Sequence, residues 1–283
     1  KQEEEHKEDN EDLSLDFNKV KEFSKKYSVF LLILIPIFFA IFFRMYPVYL
    51  PVTDDWAENS IHNNIKSDIL NQINQQYPNL PDANKQKLVD EQFNQLLKEN
   101  KQTINQQIKQ LSNHFKSRFQ DDSGQTYLLA IDPYLWYGQT RNYDRNGHFG
   151  NEIVEGKSKY TLRGLHKDRF GADIPFNMHS FFLTIIHKIL KIFNSNQSVM
   201  ASVFLAPIIL MALAIIPAFF IGYRLKGKIA GFFTALLVAI NPSVIGRTAG
   251  GFSDTDPYHI LFPLIAIWLL IEILKRDSWK EKV

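Results

Sequence analysis

Residues 29–43 read VFLLILIPIFFAIFF, with no polar side chain, and that run constrains the chain more than any other feature. In hydrocarbon every backbone N–H and C=O must pair within the segment, so such a run folds as a helix. With its flanks it is long enough to cross roughly 30 Å of bilayer core. A second run, 199–223, is apolar apart from Ser202, Tyr223 and a glycine, and 229–245 and 258–274 read as two shorter spans. The averages hide this: 45% hydrophobic, 22% charged, and a mean hydropathy of −0.18. The charges are segregated, so the net charge of +2 says nothing of partners, and no basic stripe suited to nucleic acid is present. Cysteine is absent, so no disulfide braces the chain.

Charge placement predicts the topology. The opening KQEEEHKEDNED is a charge run that reads as a disordered cytoplasmic tail, residues 1–27. The apolar run starts too late, and lacks the cleavage site, for a cleavable signal. Lys19, Lys21, Lys25 and Lys26 precede the first span, Arg224, Lys226 and Lys228 follow the second, and Lys275, Arg276, Lys280 and Lys282 follow the last. The excess of Lys and Arg in cytoplasmic loops puts all three clusters inside. Arg44, at the far end of the first span, is expected to snorkel to the interface. In 176–193 the polar residues Asn177, Ser180, Thr184, His187, Lys188 and Lys191 fall on one stripe, the pattern of a helix lying in the interface plane. The predicted order is then span 28–50, outer loop 51–198, spans 199–223 and 229–246, second outer loop 247–257, span 258–275 and a cytoplasmic end 276–283.

The first outer loop divides in two. Ile61, Ile65, Ile69 and Ile73 recur at steps of four, and Val89, Phe93, Leu97, Ile104, Ile108, Leu111, Phe115 and Phe119 at three, four or seven. Pro78-Asn79-Leu80-Pro81 separates them, with Asp82 placed as a cap. The spacing predicts a helical hairpin over 53–122. Residues 123–175 hold Asp132-Pro133-Tyr134-Leu135-Trp136-Tyr137, where Asp132 reads as an N-cap with proline at the first helical position; capping alone would account for it.

The second loop reads Arg247-Thr248-Ala249-Gly250-Gly251-Phe252-Ser253-Asp254-Thr255-Asp256-Pro257. Two carboxylates and an arginine at the lip of a membrane helix are expensive to desolvate, which makes them a functional cluster by default. Asp-x-Asp turns hard oxygen ligands toward one point and suits Mn²⁺ or Mg²⁺. Asn241-Pro242 is expected to kink the third span just before it. His148, His166 and His179 have no metal-site spacing and read as solvated or satisfied side chains. Tyr160 to Arg163 reads as a strand or turn, and the acceptor pattern Asn196-Gln197-Ser198 sits close against the second span.

A first span ending Phe42-Phe43-Arg44, a loop helix opening Asp-Pro-Tyr-Leu-Trp-Tyr, and an Arg-Thr-x-x-Gly-x-x-Asp-x-Asp string two spans later resemble the catalytic subunits of oligosaccharyltransferases, especially the single-subunit archaeal and bacterial forms. The resemblance covers about 28–276, with 53–122 as an apparent insertion. It implies an all-α, polytopic membrane protein of the GT-C type with about four transmembrane helices here and a large helical first outer loop. It implies Asp132, Asp254 and Asp256 as ligands of Mn²⁺ or Mg²⁺, with Arg247 ordering the carboxylates or contacting phosphate or acceptor. The implied donor is a polyprenyl-linked oligosaccharide, and the implied acceptor is Asn-x-Ser/Thr. The family also carries a later glutamate motif and a Trp-Trp-Asp domain, and no two of the four tryptophans here are adjacent. The chain therefore reads as an N-terminal portion of a catalytic subunit, inactive without a complementary C-terminal portion.

Two other readings stand beside this one. Asp54-Asp55 lies closer to the first span, where related GT-C enzymes such as protein O-mannosyltransferases carry an acidic pair. Alternatively Asp254 and Asp256 merely cap the last span of a scaffold or transporter.

Overall fold

The computed structural model describes residues 28–162 and 170–275. The tail with Lys19, Lys21, Lys25 and Lys26, together with Arg163, His166, Arg276, Lys280 and Lys282, lies outside the described residues. The fold is helical. In chain order the elements are α1 (Ser28–Met45), α2 (Val52–Gln76), α3 (Asp82–Glu99), α4 (Lys101–Ser117), α5 (Ile131–Asn146), the two-stranded hairpin β1 (Glu152–Val154) and β2 (Lys157–Lys159), α6 (Met178–Phe193), α7 (Val199–Ile240), α8 (Pro242–Thr248) and α9 (Asp256–Leu274).

Among the described residues α1 with its 3₁₀ extension, α7 and α9 are long and apolar enough to cross a membrane. At 42 residues α7 would overshoot any bilayer if straight. It does not run straight. Lys226 and Gly227 leave helical geometry, Gly227 at φ +81°, and the arm 228–240 folds back along 199–225. Glycines permit the close approach: a Cβ on Gly222 would lie 2.6 Å from Ala230 O, and one on Gly231 would lie 2.9 Å from Phe219 O. The two predicted spans are thus the arms of one bent element. Ala40 of α1 packs with Ile215, Phe219, Ala235 and Ala239 to form the buried centre of the bundle. Phe30, Phe38, Leu237, Phe262 and Leu270 point outward, as a hydrocarbon solvent requires. The chain is a multi-pass membrane protein.

One end of the bundle gathers the reversal and two span ends. Lys228 Nζ donates to Ser28 Oγ at 2.7 Å, Arg224 Nε pairs with Glu272 Oε1 at 2.6 Å, and Lys275 Nζ donates to Arg224 O. Of the basic residues that charge counting puts on one side, Arg224, Lys228 and Lys275 therefore share one end.

At the opposite end the loop segments differ from expectation in three places. The arm paired with α2 is broken at Asn100 into α3 and α4, both packed on α2; Ile69, Ile73, Val89 and Phe93 form its core. Pro242 does not kink a continuing helix. It starts α8, whose cap Asn241 accepts from Ser243 N at 3.0 Å and Val244 N at 3.3 Å. The middle of the polar stripe of α6 faces inward: Ser180, Thr184 and His187 are buried, while its two lysines, Lys188 and Lys191, are exposed, as are the apolar Ile192 and Phe193. Gln139 and Ser202 satisfy that stripe, through Ser180 Oγ to Gln139 Oε1 at 2.8 Å and His187 Nδ1 with Ser202 Oγ at 2.9 Å.

Candidate active site at the lip of the bundle

Arg44 organises the approach to the Asp-x-Asp loop. The sequence predicts a snorkelling side chain, yet its guanidinium is fully buried and turned inward. The arm 228–240 ends with carbonyls that have no intrahelical partner. One of them, Ala239 O, accepts from Arg44 Nη1 at 2.9 Å, and Ala40 O accepts from the same nitrogen at 3.1 Å. Arg44 Nε donates to Thr248 Oγ1 at 2.8 Å, and Thr248 Oγ1 donates to Val244 O at 2.6 Å. These acceptors replace the water of Nε and Nη1, which offsets much of the cost of burying the charge, while Nη2 is buried without a partner among the described residues.

Gly250 and Gly251 lock the loop by backbone. Gly250 N donates to Arg44 O at 2.8 Å, Gly251 N to Phe204 O at 3.0 Å, and Leu129 N to Gly251 O at 3.0 Å. The loop thereby joins α1, α7 and the segment leading into α5. Both glycines are required: a Cβ on Gly250 would lie 2.6 Å from the Phe204 ring, and one on Gly251, at φ +84°, 2.7 Å from it.

From that anchor the acidic residues project. Asp254 is half-buried; its Oδ1 accepts from Trp136 Nε1 at 3.2 Å and from Thr255 N at 2.7 Å. Asp256 opens α9, where the positive end of the helix dipole favours a carboxylate. Asp132 is exposed in the first turn of α5, one turn before Trp136, so the two share a helix face. It is not the cap: α5 begins at Ile131, and Ala130 occupies the capping position. Arg247 is exposed at the end of α8. The structure thus brings the face of α5 that carries Asp132 to Asp254, through Trp136. Among the described residues no three carboxylate or imidazole side chains are gathered closely enough to hold a metal. The donor set still has the right chemistry, because it consists of hard carboxylate oxygens and Asp132 is open to solvent.

Sequence reasoning missed the aromatic wall behind Asp254. Trp136 packs edge-on against His179 at 5.4 Å, and His179 Nδ1 hydrogen-bonds Tyr258 Oη at 3.1 Å. Burial pushes the His179 imidazole down to about 4; the Ser253 backbone and the Asp254 carboxylate oppose that shift only in part. His179 is therefore a neutral histidine, bonded through Nδ1 to Tyr258 while its Nε2 is buried without a hydrogen-bond partner among the described residues. The available signal was the spacing of Trp136 four residues after Asp132. Beside this wall an open apolar groove of about 470 Å³ runs between α6 and α9, lined by Phe182, Thr255, Tyr258 and Phe262 among others.

The competing acid Asp54 has another task. Its Oδ1 accepts from Ser112 Oγ and, at 3.0 Å, from Lys116 Nζ, which clasps the start of α2 to the end of α4. Those donors hold its carboxyl below the ordinary range. Asp55, next to it in the first turn of α2, is exposed.

Fold and site define a helical, multi-pass membrane protein with an acidic site at the lip of its spans. The model for the N-terminal part of oligosaccharyl transferase STT3 matches residues 103–282, and the chain belongs to that family. It is 32% identical over 165 residues to a dolichyl-phosphooligosaccharide-protein glycotransferase of Methanococcus voltae, covering 58% of this chain and 18% of that protein. A protein of the same name from Methanocaldococcus jannaschii is 29% identical over 183 residues, 62% of this chain and 19% of the relative. An undecaprenyl-diphosphooligosaccharide–protein glycotransferase of Campylobacter jejuni is 33% identical over 69 residues, 24% of this chain and 10% of the relative. The chain thus spans about a fifth of the length of the first two relatives. No solved structure matches it.

Proposed function

We infer that this chain supplies part of the catalytic site for transferring an oligosaccharide from a polyprenyl-(pyro)phosphate carrier to the asparagine of Asn-x-Ser/Thr acceptors. The observation that carries the reading is the Trp136 to Asp254 hydrogen bond, which ties the helix of Asp132 to the Asp-x-Asp loop. Membership of the family and the names of its glycotransferase relatives support the reaction class.

In the reaction the carboxamide nitrogen forms a bond to the sugar's anomeric carbon. The bond from that carbon to the phosphate oxygen breaks, its electron pair leaves with the phosphate, and one N–H proton passes to a carboxylate or to the departing phosphate. A carboxamide nitrogen is a poor nucleophile because its lone pair is delocalised, and a carboxylate that accepts its N–H weakens that delocalisation. Asp132, Asp254 and Asp256 would hold Mn²⁺ or Mg²⁺, whose charge offsets that of the departing phosphate. Arg247, exposed beside them, meets phosphate or acceptor. The apolar groove beside Thr255 is a place for the first units of the lipid. The site faces the extracytoplasmic side, with the basic end cytoplasmic. A complementary C-terminal portion orients the acceptor, without which effective concentration at the reacting atoms is lost.

The assay is transfer of a lipid-linked glycan to an Asn-x-Thr peptide with Mn²⁺, by the chain supplemented with such a portion. Asp254→Ala is expected to abolish transfer. Unchanged transfer by Asp254→Ala would overturn the catalytic assignment.

A further inference from the structure

A second cavity, of about 500 Å³, lies among α5, α6 and the first turn of α7, and none of Asp132, Asp254 and Asp256 lines it. Tyr137, Arg141, Asp144 and Arg145 enter it from α5 at steps of four and three, the spacing of one helix face. Lys191 closes it from α6, and Ser198 to Met200 present the start of a helix whose first arm alone runs 27 residues, 199–225.

The charges in this cavity are not matched among themselves. Asp121 spends one oxygen on Ser123 N at 2.9 Å, Ser123 Oγ at 2.6 Å and Gln125 N at 3.0 Å. Asp144 faces the buried His187, 3.8 Å from its Nε2. Among the described residues Arg141, Arg145 and Lys191 have no carboxylate partner; Arg141 lies only over the Tyr137 ring, at 5.5 Å. The Gln197 amide nitrogen, also lining the cavity, is buried without a hydrogen-bond partner. Two guanidinium forks, an ammonium, an idle amide and the positive end of a helix line one space, against two carboxylates, Asp121 and Asp144, whose contacts run to other groups. That is the donor set of a tetrahedral oxyanion.

The surroundings say which oxyanion. Next to Lys191 are Ile192 and Phe193, 80% and 84% exposed, and α7 enters the bilayer from the same rim. A ligand with a charged head and an apolar body satisfies both halves. We propose that this cavity binds the phosphate of an anionic phospholipid in the leaflet on the side of Asp254, with the acyl chains laid against Ile192 and Phe193. Such a lipid seats α6 on the membrane and leaves the aspartates free.

The test uses the full chain in mild detergent, with lipid retained per chain read by native mass spectrometry. The probes are phosphatidylglycerol, phosphatidylcholine and inorganic phosphate. One phosphatidylglycerol is expected to remain bound, at least about tenfold tighter than in Arg141→Gln/Arg145→Gln, since two charge-assisted contacts are lost. Lys226→Gln, at the other end of the bundle, should retain it fully. Should the double variant unfold, Lys191→Gln carries the test, with about threefold weaker retention expected. Equal retention by these cavity variants would overturn the site. Phosphate bound in place of lipid, or phosphatidylcholine held as tightly as phosphatidylglycerol, would overturn the anionic-lipid assignment.

Discussion

The loop at 248–256 and the helices α2 to α4 both lie beyond the spans, and they are held in opposite ways. The loop is pinned from three directions by backbone bonds to Arg44, Phe204 and Leu129, over two glycines with no room for a side chain. The helices α2 to α4 form a small core of Ile69, Ile73, Val89 and Phe93 under a solvated surface, clasped at their base by exposed polar contacts. Backbone anchoring is concentrated beside Asp254, whose carboxylate meets Trp136 of α5, and it comes with buried polar groups that hydrophobic packing alone would not require.

The largest expected effect follows from removing the inner support of the loop. Arg44→Met leaves Ala239 O and Thr248 Oγ1 without their donor in a buried setting, at roughly 1–3 kcal/mol for each orphaned group. Thermal unfolding in detergent should register a loss of several degrees, and transfer should fall with it. Arg44→Lys keeps the charge but not the fork, and should recover only part. A variant as stable as the parent would show that the loop is held by its glycines alone.

A smaller effect is pH-dependent and also belongs to the pinned side. His179 has a folded value of about 4, below its ordinary 6.5, because burial disfavours the cation. Between those values the unfolded chain binds a proton that the folded chain does not, so stability falls as pH drops through that window and is unaffected above it. The limiting slope is about 1.4 kcal/mol per pH unit. Stability of His179→Gln should decline less steeply than that of the parent from pH 6.5 to 4. Parallel curves would mean that the histidine is hydrated.

Much of this contrast was legible in the sequence, and the part that was not has a common cause. Apolar runs betray spans because the bilayer permits one solution, and the periodicity of Ile65, Ile69 and Ile73 shows a packed helix for the same local reason. Asp254 and Asp256 stood out because carboxylates are costly beside hydrocarbon. Arg44 could not be read, since snorkelling or burial depends on Ala239 and Thr248, some 200 residues away. The stripe on α6 was visible but not its direction, which Gln139 and Ser202 decide. Asp132 was assigned to a cap that falls two positions earlier, at Ala130, the usual error at a helix end.

The least effect is expected at the clasp of the second region, and it separates the two acidic pairs. Asp54 is 57% exposed by its side chain, so its pair with Lys116 is screened by water and contributes about 0–1 kcal/mol. Asp54→Asn keeps an oxygen to accept from Ser112 and removes the charge. Unfolding should shift slightly, most at low salt, and transfer should be unchanged within error. The exposed neighbour gives the matching control, with Asp55→Asn altering neither. Loss of transfer in Asp54→Asn while Asp254→Ala remained active would reverse the assignment and move the chemistry to the mouth of α2. Loss in both would make the two regions one site, which their separate anchoring argues against: the clasp ties α2 to α4, and Asp254 is tied to α5.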